Sequence, residues 1–201
     1  MTRSALPLLL ACLVATAGCA TVRRAGKPKP PDPIERVLAA ASALLGERTI
    51  TVDGRTFRSD CSGFVTGAFH AIGVDLVDPG TTGASGTELI YRSMKSSSRL
   101  RRDAQLKPGD LLIFHNTWDR NGNGLRDDRF THVGLVEVVE RDGRARFLHF
   151  GSGRVKRDYI HLGHPDVLRD PESGREWNSH LRRGAGKTLA GQLFFRSARP
   201  L

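Results

Sequence analysis

Three apolar runs of strand length in the second half of the chain constrain its fold more than any other feature. They are residues 106–114, opened by the Pro108-Gly109 turn, residues 131–139, and residues 145–150. Asp142-Gly143, between the second and third, is a tight hairpin signal, so the three runs read as an antiparallel meander. The first half reads differently. Ile34, Val37, Leu38, Ala41, Leu44 and Leu45 recur at helical spacing, with Asp32 to cap the helix, Pro33 at its first position and Gly46 to end it. Helices first and strands afterwards define an α+β domain with no internal repeat, large enough to bury a core. Residues 188–195 read as a closing strand.

Ser59-Asp60-Cys61-Ser62-Gly63-Phe64-Val65 places one cysteine where a polar turn gives way to an apolar run that reads as a buried helix. Unpaired N–H groups and the dipole at a helix start favour a thiolate, so the pKa of Cys61 is expected to fall from ~8.5 into the range ~3.5–7.5. A buried cysteine that only packs is the alternative. Downstream, His132 heads the second strand run. A cysteine at a helix start and a histidine at a strand start are what a thiol protease needs, with the imidazole as general base and a third polar group fixing its tautomer.

Together, Asp60-Cys61-Ser62-Gly63-Phe64-Val65, residues 106–114, Thr131-His132-Val133-Gly134-Leu135-Val136 and Phe147-Leu148-His149-Phe150-Gly151-Ser152 resemble, in order, the NlpC family of bacterial cell-wall cysteine peptidases, over roughly positions 33 to 155. The resemblance implies a papain-like α+β domain, N-terminal helices packed on an antiparallel β-meander. It implies Cys61 as nucleophile, His132 as general base and His149 as the residue that orients His132. The implied substrates are peptidoglycan stem peptides, commonly cut between D-glutamate and a diamino acid, with no cofactor required. An amidase that separates the glycan lactyl group from the stem peptide would use the same chemistry, and a catalytically silent wall-binding module would use the same cleft.

Two departures accompany the resemblance. Residues 47–58 hold no tyrosine where many relatives carry one, which leaves the backbone N–H of Cys61 as the identified oxyanion donor. His132 and His149 are also widely spaced. A two-residue loop at Asp142-Gly143 sets His149 opposite Val136, ~13 Å from His132 along the strand; a register moved by two residues keeps the face and shortens the gap.

The amino terminus addresses the compartment. Arg3 precedes an apolar stretch, Ala5 to Ala17, too short to span a bilayer, and Thr16-Ala17-Gly18-Cys19 resembles the end of a lipoprotein signal. Residues 1–18 are expected to be removed and Cys19 lipidated, while Ala20, not an aspartate, implies an outer-membrane anchor facing the periplasm. The alternative is ordinary cleavage and secretion. Residues 19–32 form a basic, proline-rich tether and 33–201 the catalytic domain, with insertions at 116–131 and 158–187. Of the three cysteines, Cys12 lies in the signal, so a lipidated Cys19 leaves Cys61 as the free thiol. The 31 Lys and Arg against 21 Asp and Glu favour anionic lipid or wall polymers; no nucleic-acid recognition motif accompanies them.

The connection before His132 carries a further pattern. Asp119, Asn121, Asn123, Gly124, the carbonyl of Leu125 and Asp127 occupy positions 1, 3, 5, 6, 7 and 9 of an EF-hand-like loop, which suits a structural calcium. Position 12 is Phe130, with Asp128 the candidate substitute carboxylate. A polar Asn-Gly turn without an ion is the alternative.

Overall fold

The computed structural model describes residues 30–101 and 105–201. The signal, Cys12, Cys19 and most of the tether lie outside the described residues. Helix α1, Pro33–Ala43, starts as its sequence dictates: Asp32 accepts the N–H of Ile34 at 2.8 Å, and Glu35 accepts that of Asp32 at 3.1 Å. Loss of the Asp32 cap costs about 1 kcal/mol. A small hairpin of β1, Ile50–Val52, and β2, Arg55–Phe57, leads into α2, Cys61–His70. Helix α3, Gly86–Ser96, follows.

A six-stranded antiparallel sheet holds β3, Leu100–Arg101, β4, Leu111–Phe114, β5, His132–Val139, β6, Arg144–Gly151, β7, Arg154–His161, and β8, Phe194–Ala198, in the order β3-β8-β4-β5-β6-β7. The expected meander is its centre, β4 to β6. Two sequence expectations need correction. The insertion expected at 158–187 starts later, because Asp158 to His161 complete β7, paired along its whole length with β6. The closing strand is shorter than 188–195: Ala190–Leu193 form one helical turn, α4, and only then does β8 begin. Gln192 turns the chain there by accepting the N–H groups of Thr188 and Leu189 at 2.9 and 3.1 Å.

Alternation along the strands gives the sheet two apolar faces. Leu111, Ile113, Val133, Leu135 and Leu148 meet Val37, Ala41, Phe64, Val65, Ala68 and Ile90 from the helices. Leu112, Phe114, Val136, Phe147 and Ile160 face the other way and are covered by Ala190 and Leu193. Helix α2 is buried on nearly every side, which explains its apolar composition and two of its glycines. A Cβ on Gly63 would lie 1.9 Å from the carbonyl oxygen of Arg58, and one on Gly67 would press on Ile50 and Phe57. The Asp-Cys-Ser-Gly order is thus partly a packing requirement.

Candidate active site

Cys61 is the first residue of α2. Asp60 caps the helix, its carboxylate accepting the N–H of Gly63 at 2.8 Å and the hydroxyl of Ser62 at 2.7 Å. Across a cleft of about 460 Å³ stands His132, at the start of β5. Its approach is set by Phe130, held at φ 54°, whose N–H donates to His115 Nδ1 at 2.9 Å and whose ring stacks on Tyr91. Next to it, Thr131 Oγ1 accepts the N–H of Thr117 at 3.0 Å.

His132 Nε2 and His149 Nδ1 are 2.6 Å apart, and His149 Nε2 lies 2.9 Å from Asp158 Oδ2. The ~13 Å separation expected from a two-residue hairpin is overturned by two one-residue shifts. Glu140 and Arg144 are bridged by a backbone hydrogen bond, so the loop has three residues, with Gly143 at φ 91° in the left-handed position. A bulge at Glu137 adds the second shift: Val138 pairs with Arg146, but Val136 with Phe147. Each shift alone would turn His149 to the opposite face; together they restore the face and bring it beside His132.

Asp158 was not identified from sequence, because it fell in a stretch read as irregular. The signal available was the Gly151-Ser152-Gly153 turn, which sets His149 opposite Lys156 and carries Asp158 two residues further on the same face. Its carboxylate, an acceptor only, requires the proton of His149 on Nε2. His149 Nδ1 is then a bare acceptor, so the His132 proton sits on Nε2. His132 Nδ1 is left unprotonated.

The NlpC/P60 family model matches residues 48–181, more than half of the chain, and spans Cys61, His132, His149 and Asp158. The protein belongs to the NlpC/P60 family. Members of NlpC/P60 are generally cysteine peptidases acting on the cell wall. Comparison with curated proteins gives no match.

In this NlpC/P60 domain the electrostatics differ from the expectation for a helix-start thiol. Burial pushes the Cys61 thiol up; the Thr87 hydroxyl and the Val133 N–H oppose the rise, and the Asp60 carboxylate adds to it. The positive end of α2 is already engaged by Asp60. The hydrogen bond Cys61 Sγ makes is to Thr87 Oγ1, at 3.7 Å, and not to His132. Burial also holds His132 well below the usual imidazole value, helped by His149 and Lys156, and it lowers His149 despite the opposing bond from Asp158. Burial alone would raise Asp158, but its bonds to His149 and Lys156 outweigh that and lower it. Both directions favour the neutral thiol and the neutral imidazole.

A stability prediction follows from these directions. Unfolded imidazoles bind protons near pH ~6.5 whereas His132 and His149 in the fold do not, so the stability they confer is present above ~6.5 and is lost as pH falls below it. Asp158 adds a further loss only below ~4, where unfolded carboxyls protonate. Thermal melts are expected to show Tm falling between about pH 7.5 and pH 5.5, less steeply in His149→Gln.

The residues of the expected calcium loop lie close together but serve one another. Asp119 accepts the N–H groups of Gly122 and Gly124, each at 2.8 Å; Asn121 and Asn123 accept those of Asn123 and Leu125; Asp127 accepts the Asn123 amide. Asp128, the candidate twelfth ligand, is buried and accepts the Arg120 N–H at 3.0 Å. Among the described residues no three His, Cys, Asp or Glu side chains converge as metal ligands.

Proposed function

We propose that this protein hydrolyses peptide bonds in peptidoglycan stem peptides with Cys61 as nucleophile, His132 as general base and His149 as the residue that orients it. The observation that carries the reading is the Asp158–His149–His132 series, which leaves one unprotonated nitrogen on His132, a residue that lines the same cleft as Cys61. On substrate binding the thiol turns from Thr87, gives its proton to His132 Nδ1 and adds to the carbonyl carbon. The oxyanion formed lies at the start of α2, where the N–H of Cys61 is a donor. His132 then protonates the departing amine, leaving a thioester, and next takes a proton from water as that water adds to the acyl carbon; the C–S bond breaks, the acid leaves and His132 returns the proton to the Cys61 sulfur. Digestion of purified muropeptides followed by mass spectrometry is expected to reveal new amino and carboxyl termini within the stem. A digest indistinguishable from that of Cys61→Ala would overturn the reading.

The proposed site of action is the periplasmic face of the outer membrane, with Cys19 lipidated; the support is the sequence around Cys19 and the basic run behind it. The wild type is expected to partition with membranes and to incorporate a fatty-acid label, and Cys19→Ala to lose both. An unlabelled wild type would exclude the anchor.

We also propose that the 119–127 loop takes calcium weakly, supported by its run of oxygen-bearing side chains and by the positive φ of Gly122 and Gly124. Millimolar calcium is then expected to raise Tm in the wild type and not in Asp119→Ala. Calorimetry without binding heat at that concentration would reduce the loop to a turn.

A further inference from the structure

A second cavity, of about 680 Å³, opens beside the two imidazoles and joins the Cys61 cleft, since Trp118, His132, Phe150 and Gly151 line both. It is lined by His132 and His149, by Lys156 of β7, and by Arg182 and Arg183 from the irregular chain after β7. We infer that this basic cavity seats a carboxylate on the amine-side half of the substrate, the half that leaves when the peptide bond breaks. The inference rests on the peptidase reading above and adds a specificity to it.

Charge supports the inference first. Arg182 and Arg183 are in no ion pair among the described residues, and Lys156 pairs with Asp158 while staying partly exposed. Asp119, the acidic residue lining the cavity, has both oxygens occupied by the N–H groups of Gly122 and Gly124. Arg182 is also held in place, one nitrogen donating to the carbonyl of Asn116 at 2.8 Å, so part of the ordering cost of binding is already met. Guanidinium groups recognise carboxylates through paired, charge-assisted hydrogen bonds.

Direction supports it second. His132 must return its proton to the departing amine, so the amine-side residue lies on the imidazole side of the scissile bond. The cavity walled by both imidazoles is where that residue continues. Gly151 keeps it open: a Cβ there would lie 2.8 Å from His149 Cε1 and 3.0 Å from Lys156 Cε. A diamino acid with a side-chain carboxylate suits this cavity better than one whose side chain ends in an ammonium alone.

The test uses two stem tripeptides that end in diaminopimelate, identical except that its side-chain carboxylate is free or amidated. Their binding to the full-length Cys61→Ala protein is measured by calorimetry, and their cleavage by the wild type is followed through amine release. The free acid is expected to bind about tenfold or more tighter, and to be cleaved with a KM lower by a similar factor. In Arg183→Gln, an exposed position that the fold tolerates, the preference is expected to shrink towards unity, and Arg183→Lys to recover part of it. Equal binding of the two peptides, or a preference unchanged in Arg183→Gln, overturns the inference whatever happens to cleavage. A preference in binding that depends on Arg183, without cleavage of either peptide by the wild type, supports the carboxylate seat and removes the peptidase reading instead.

Discussion

Cys61→Ala and His132→Ala are each expected to lower hydrolysis of stem peptides by about 10³-fold or more, with the double variant no worse than either single one. The reason is that the thiol and the imidazole act as one unit, so removing either removes the reaction path and removing both leaves nothing further to lose. The fold should survive the first change, because alanine keeps the Cβ and the one side-chain bond lost is a long one to Thr87. Tm of Cys61→Ala is expected to stay within a few degrees of the wild type, and full activity in that variant would end the thiol mechanism. The resting protonation states add a second readout. A neutral thiol beside a neutral imidazole should react with iodoacetamide more slowly than a free thiol at neutral pH, and the rate should rise only as the pH approaches the raised thiol value. The free-enzyme activity profile should be broad, its acid limb set by an imidazole well below the usual value.

Asp158→Leu is expected to cost about 10²-fold in kcat, because the carboxylate fixes the His149 proton; the change also frees Lys156, its ion-pair partner in the neighbouring basic cavity, so any change in KM reports on that partner. Without that acceptor, the His149 proton has no reason to stay on Nε2. If it moves to Nδ1, His132 must give up its Nε2 proton to accept it, and the remaining proton then occupies Nδ1, the atom the thiol needs. Asp158→Asn separates geometry from charge: its amide oxygen can still accept from His149 and Lys156, so the tautomer is kept and only the negative charge goes. The asparagine variant is therefore expected to retain more activity than the leucine variant, with its acid limb moved to lower pH because nothing anionic then favours a protonated imidazole. Equal losses in both variants, accompanied by a large fall in Tm, would mark Asp158 as a purely structural residue.

Much of the scaffold was legible in the chain. Asp32 and Pro33 mark the start of α1, and Gly46 follows its end with φ 84°. The runs around Leu112, Val133 and Phe147 are strands, and Cys61 begins α2. These features depend on neighbours within a turn or a strand, so apolar spacing, caps and turn residues report them directly. The pairing of His132 with His149 was beyond that range. It depends on whether the Asp142-Gly143 turn holds two residues or three and on a bulge at Glu137, and each alternative is locally acceptable to the same residues.

The sequence by itself determined the elements, their faces and the types of side chain placed at the start of α2 and at the start of β5. Only the tertiary structure decided how those groups meet and in which protonation state. Asp158 enters the series because β7 continues to His161 and pairs with β6 over its full length, an extent that the Gly151-Ser152-Gly153 turn by itself does not fix. The thiol rests high although it begins a helix, because the dipole is a local effect while desolvation comes from chain-distant groups closing over Sγ. Periodicity carries short-range preferences; register and solvent exclusion are set by packing between segments far apart in the chain, and in this domain they arrange the chemistry.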